Sequence, residues 1–193
     1  MAKIDSSVSF GFWDKIKYIF SDPNLFFQKV KSEDGIKNSL LMYAIVGAFF
    51  SVISYAFSFG MMSMMSRGYG DLGGFGFLYS ALPFVMLGVG IIMTFAYSGL
   101  IHVIMIAFKS EGSYKDSYNA YTYSMIPYLI LSVVPMVGFL SIIYSFILMI
   151  IGMSNVYNVS KGKAALACLL PVVLVIGLVI GFVIIMLSRM RLF

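Results

Sequence analysis

Three kinds of side chain in the apolar part of this 193-residue chain could do chemistry: the sole histidine, His102, the sole cysteine, Cys168, and the methionines Met61, Met62, Met64 and Met65. A histidine set in an apolar helix either titrates near neutral pH or hydrogen-bonds across helices, and the cross-helix bond is the expectation for His102. Clustered thioethers can ligate copper(I), but these methionines have no Cys or His beside them, so they read as packing at the membrane surface. Cys168 has no second cysteine to pair with and reads as a small core hydrophobe. Metal catalysis needs several His, Cys or carboxylate ligands, and a membrane serine protease needs a Gly-x-Ser-Gly elbow that the chain lacks. No enzymatic activity, catalytic residue, metal or cofactor is therefore expected.

The charges say where such residues must sit. Between Asn38 and Arg189 only Arg67, Asp71, Lys109, Glu111, Lys115, Asp116, Lys161 and Lys163 are charged, gathered in three short clusters. The apolar blocks between them are about 20 residues or longer, the length that crosses a bilayer as a helix, and a charge at the bilayer centre costs several kcal/mol. The expected fold is all-α, a polytopic bundle of five transmembrane helices over 39–60, 79–108, 118–135, 138–155 and 164–187, preceded by amphipathic interfacial helices. Residues 1–37 form the interfacial segment and 38–193 the membrane domain. The first 37 residues hold 11 charges and no apolar core, so no cleavable signal peptide is expected.

Within 12–20, Phe12, Trp13, Ile16, Ile19 and Phe20 share one helical arc, with Asp14, Lys15, Lys17 and Tyr18 opposite, which predicts a helix lying in the membrane interface. Ser21-Asp22-Pro23 offers a cap and an N-terminal proline for a second short helix. Glycines from Gly68 to Gly76 predict a loop after the methionine cluster. The uncharged block 77–108 is about 48 Å long as a helix, so it must tilt, bend at Pro83, Gly88 or Gly90, or begin outside the hydrocarbon. The uncharged stretch 117–160 holds two crossings, with a turn at Pro135 to Gly138 and a kink at Pro127 whose freed carbonyl Tyr121, Tyr123, Ser124 or Asn119 could satisfy. Gly177 and Gly181 form a Gly-x-x-x-Gly face for helix packing or self-association.

With the N-terminus inside, ten lysines (Lys3, Lys15, Lys17, Lys29, Lys31, Lys37, Lys109, Lys115, Lys161 and Lys163) fall on the inner side and three arginines (Arg67, Arg189 and Arg191) on the outer. That asymmetry predicts a cell-membrane protein with a cytoplasmic N-terminus and an external C-terminus. The net charge of +5 is spread singly, without a basic run or stacking platform, so nucleic acid is not an expected partner. Expected partners are the bilayer, anionic lipid head groups and other membrane proteins or a second copy. The candidate interaction surface is Lys109, Lys115, Asn155, Asn158, Lys161 and Lys163 on the cytoplasmic side. No Asp, Glu, Lys or Arg lies within a predicted span, which argues against proton- or ion-coupled transport and leaves a small channel or carrier for neutral solutes as the alternative.

One pattern extends through the second half: Gly112-Ser113, then Tyr121, Tyr123 and Pro127, a hairpin at Pro135 to Gly138, Gly152-Met153, Tyr157, Ser160 and Lys163-Ala164. With the upstream Asp22-Pro23 and Phe26-Phe27, it resembles the Yip1-domain family of five-span membrane proteins over roughly Pro23 to Leu187. The resemblance implies a cytosolic N-terminus. In the eukaryotic members it also implies association with prenylated Rab-type GTPases and with one another. Their Asp-Leu-Tyr-Gly-Pro motif is absent here, and the chain resembles the shorter microbial members.

Overall fold

A backbone in hydrocarbon must satisfy its own hydrogen bonds, so long uncharged blocks become helices. The computed structural model describes residues 11–69 and 73–190, and these fold into eight helices: α1 (Phe12–Ser21), α2 (Pro23–Val30), α3 (Lys37–Tyr69), α4 (Gly73–Ala107), α5 (Tyr114–Ser124), α6 (Ile126–Leu131), α7 (Pro135–Tyr157) and α8 (Lys161–Met190). Among the described residues four stretches are long and apolar enough to cross a membrane: Lys37–Met64, Ala81–Ala107, Val137–Tyr157 and Lys161–Arg189.

The expected third span is divided. Pro127 sits in the first turn of α6 rather than at a kink inside one helix, and the chain breaks at Met125, leaving pieces of 11 and 6 residues. The reason is local: proline has no N–H to donate and is tolerated in a first turn, where that donor has no helical partner anyway. Pro83 and Pro171, by contrast, lie inside continuous helices, so the block 77–108, up to Ala107, belongs to one unbroken helix. The glycine-rich loop is also shorter than expected. α3 continues through the methionines to Tyr69 and α4 begins at Gly73; Gly70, Asp71 and Leu72 lie outside the described residues.

α5 is the most polar of the central helices and also the most enclosed. Asp116, Ser117, Tyr118, Asn119, Ala120, Thr122, Tyr123 and Ser124 are all buried, and α2, α3, α4 and α7 pack around them. Lipid solvates apolar side chains, so a membrane bundle places its hydroxyls and amides inside, where helices hydrogen-bond to one another. Ser39 donates to Asn119 Oδ1 (2.5 Å), Asn119 Nδ2 donates to the Gly35 carbonyl (3.0 Å), and Thr94 donates to the Tyr118 hydroxyl (3.0 Å). α8 shows the reverse. Ala164, Ala167 and Cys168 are buried, whereas the apolar side chains from Val172 to Leu187 face outward.

The α4–α5 and α7–α8 loops lie at one end of the bundle, here called the loop end; α2 packs on the last turns of α7 beside it, and α1 continues along α7 to Tyr144. Asp22 caps α2 by accepting from Leu25 N (3.0 Å). Phe26 and Phe27 are fully buried; Phe26 meets the Tyr123 ring edge-on at 5.1 Å, and Phe27 lies over Gly152, whose missing side chain leaves room for the ring.

Candidate functional site

The loop end is organised by one phenol. Tyr157, last residue of α7, places its hydroxyl 2.5 Å from Ser117 Oγ and 2.6 Å from His102 Nδ1, and donates to the Ser113 carbonyl at 3.2 Å. Its ring lies against Gly112, where a Cβ would overlap it. The start of α5, the end of α7 and the last turns of α4 are thereby held together, and α5–α6 and α7 run as two antiparallel legs. Ser113 starts α5 by donating both its N–H (2.8 Å) and its hydroxyl (2.9 Å) to Asp116 Oδ2.

Beside Tyr157 the two loops enclose a cleft of about 490 Å³ whose polar lining is Lys109, Ser110, Glu111, Asn158, Ser160 and Lys163. Both loops leave their helices through left-handed residues, Lys109 (φ 55°) and Asn158 (φ 52°), a conformation asparagine tolerates better than most. Ser110 Oγ donates to the Met105 carbonyl and Ser154 Oγ to the Val159 carbonyl, fixing each exit.

The six residues of the expected interaction surface separate into two sets. Lys109 and Lys163 line the cleft and Lys161 stands next to it; all three are exposed, and none of their amines has a hydrogen bond or ion pair among the described residues. Lys115, Asn155 and Asn158 work inward. Lys115 Nζ donates to the Glu33 carbonyl at 2.9 Å. Asn155 accepts from Gln28 Nε2 and donates to Asn24 Oδ1, both at 3.4 Å, tying α7 to α2. With its side-chain amide turned so that both atoms find partners, Asn158 accepts from Lys31 Nζ at 2.7 Å and donates to the Asn155 carbonyl at 3.3 Å.

The arc expected to lie in the interface is also split. Phe12, Trp13 and Phe20 point outward, Trp13 at 77% exposure, but Ile19 is fully buried and Phe20 stacks on Tyr144 at 5.9 Å. Lys15, expected on the solvated side, is buried. Its Nζ contacts Glu33 Oε1 at 2.5 Å and donates to the Tyr123 hydroxyl at 2.6 Å, and Tyr123 donates to Glu33 Oε2 at 2.8 Å. A buried cation requires a partner, and nothing local in the sequence pairs Lys15 with a residue 18 positions away; the signal that existed was the density of Tyr, Asn, Ser and Thr from Ser117 to Ser124, which marks an interior helix.

Of the packing residues, the Pro83 carbonyl accepts from Ser51 Oγ at 3.2 Å and Pro135 opens α7. A Cβ on Gly138 would meet the Ser132 backbone at 3.2 Å, and one on Gly177 or Gly181 would meet nothing within 4 Å. Among the described residues no group of three or more His, Cys, Asp or Glu is placed to hold a metal ion.

No curated protein and no solved structure matches the chain. The Yip1 domain profile matches residues 17–184, from within α1 to near the end of α8. That span holds the Tyr157 clasp, the polar central helix and the lysine cleft together, and the chain belongs to the Yip1-domain family of membrane proteins.

Proposed function

We propose that this Yip1-family protein is a non-enzymatic scaffold of the cell membrane that recruits anionic lipid head groups or other membrane proteins to its cytoplasmic loop end. The observation that carries this reading is the cleft in which Lys109 and Lys163, contributed by separate loops, present amines without protein partners beside Lys161. The cleft lies where α4 and α7 end and α8 begins, the level at which lysines meet lipid phosphates. Lysine asymmetry supports a cytoplasmic N-terminus and an external C-terminus, with α5–α6 counted as a fifth crossing because it runs antiparallel to α7. Phe12, Trp13 and Phe20 give α1 an outward apolar edge for the interface.

The experiment is gentle extraction of a tagged copy from its native membrane, with mass spectrometry of what remains bound at near-stoichiometric amounts. A recurrent protein or anionic lipid that is lost in the K109E/K163E variant supports the reading. Companions that survive the charge reversal contradict it.

A further inference from the structure

A second concavity lies far from the loop end. α6 stops after 6 residues, so beyond it α3 and α4 continue without a third helix between them, and a groove of about 520 Å³ opens at membrane depth. Its size falls in the usual small-molecule range of roughly 300–1,000 Å³. Phe50, Leu82, Met86 and Leu87 give it apolar walls, and no charged residue lines it.

Its hydroxyls are the unusual feature. Ser51, Ser54 and Ser58 fall on one face of α3, spaced as i, i+3 and i+7, and all three line the groove with Tyr43 and Tyr128. Ser51 is satisfied by the Pro83 carbonyl. Ser54, Ser58, Tyr43 and Tyr128 have no hydrogen bond among the described residues, although Tyr43 is only 7% exposed. Other serine hydroxyls in these helices turn back onto a carbonyl of the preceding turn, as Ser63, Ser124, Ser141 and Ser188 do; Thr122 and Ser145, buried without a partner, do not line the groove. Gly90 provides the space for the Tyr43 hydroxyl, since a Cβ there would stand 2.7 Å from it. Surrounded by hydrocarbon, a donor without an acceptor is costly.

We infer that this groove binds the acyl chain of a membrane lipid, with the ester carbonyl accepting hydrogen bonds from the hydroxyls of Ser54 and Ser58, one turn apart on α3. The apolar walls take the tail, the hydroxyls take a neutral acceptor, and the lack of a charged lining residue disfavours a phosphate or a carboxylate. The site is independent of the lysine cleft at the loop end.

The test is photo-crosslinking in nanodiscs that contain a diacyl phospholipid with a diazirine close to its ester carbonyl, followed by peptide mapping. Label is expected to concentrate on 43–58, 79–90 and 126–132. It should fall at least about fivefold in S54A/S58A, with S188A unchanged. Label spread over α8 as densely as over the groove would reduce the lipid to an unselective annulus and overturn the site. Equal labelling by a diazirine fatty acid, or exclusion of both probes by a second protein helix, would assign the groove to another occupant and overturn the inference.

Discussion

Lys15 in α1 and Glu33 after α2 form an ion pair of 2.5 Å inside the protein, and the Tyr123 hydroxyl of the central helix hydrogen-bonds to both. With side chains only 11% and 18% exposed, each charge depends on the other, because removing one partner of a buried pair strands the remaining charge. Lys15→Met is expected to destabilise the bundle by about 3 kcal/mol, and Lys15→Met with Glu33→Gln by less than the sum of the single changes. Thermal unfolding in detergent for the two single variants and the double variant measures the coupling; additive losses would mean the pair contributes nothing as a unit.

Gly152 and Phe27 make a second junction between the N-terminal helices and the bundle. An added Cβ on Gly152 would come within 3.0 Å of the Phe27 ring, so Gly152→Val must displace it, at a cost of about 1–3 kcal/mol. Limited proteolysis of α2 is expected to accelerate in Gly152→Val, and an unchanged cleavage rate would show that Phe27 has somewhere else to pack.

Gly177→Leu with Gly181→Leu offers the contrast. Neither glycine has a neighbour within 4 Å of the position a Cβ would take, so no steric loss is expected, and each replacement should favour the helix by roughly 0.5–1 kcal/mol. The melting temperature at low protein concentration checks this, and a marked drop would reveal packing on that face of α8.

Tyr157→Phe keeps the ring on Gly112 and removes the hydroxyl shared by Ser117, His102 and the Ser113 carbonyl. Groups left buried without a partner cost about 1–3 kcal/mol each. The expected outcome is a lower melting temperature with faster amide exchange from Ser113 to Ser117; slow exchange retained there would show that the loops are held by other contacts.

Much of this architecture is legible in the chain because hydrocarbon punishes charge and unpaired backbone alike. The four long apolar blocks had no alternative to a helix. The interior was harder to see. In 118–135 the tyrosines raise the apolar count and the pattern reads as one continuous helix, whereas the chain divides at Met125 into α5 and α6, with Pro127 in the first turn of α6. Helical periodicity places Lys15 on the solvated side because it describes one helix at a time, and the partner that buries it comes from the turn after α2. The lysine surface was half visible for the same reason. Spacing locates Lys109, Lys115, Lys161 and Lys163 near one another, but only tertiary contacts show that Lys115 is occupied by the Glu33 carbonyl while Lys109 and Lys163 stay open.

The most direct test of the loop-end reading is native mass spectrometry of the protein released from nanodiscs of mixed neutral and anionic phospholipid, wild type against K109E/K163E. The account predicts that the wild type retains anionic lipid above its share of the disc and that the variant, equally folded by thermal melting, retains it at that share. Equal retention by both proteins would contradict it.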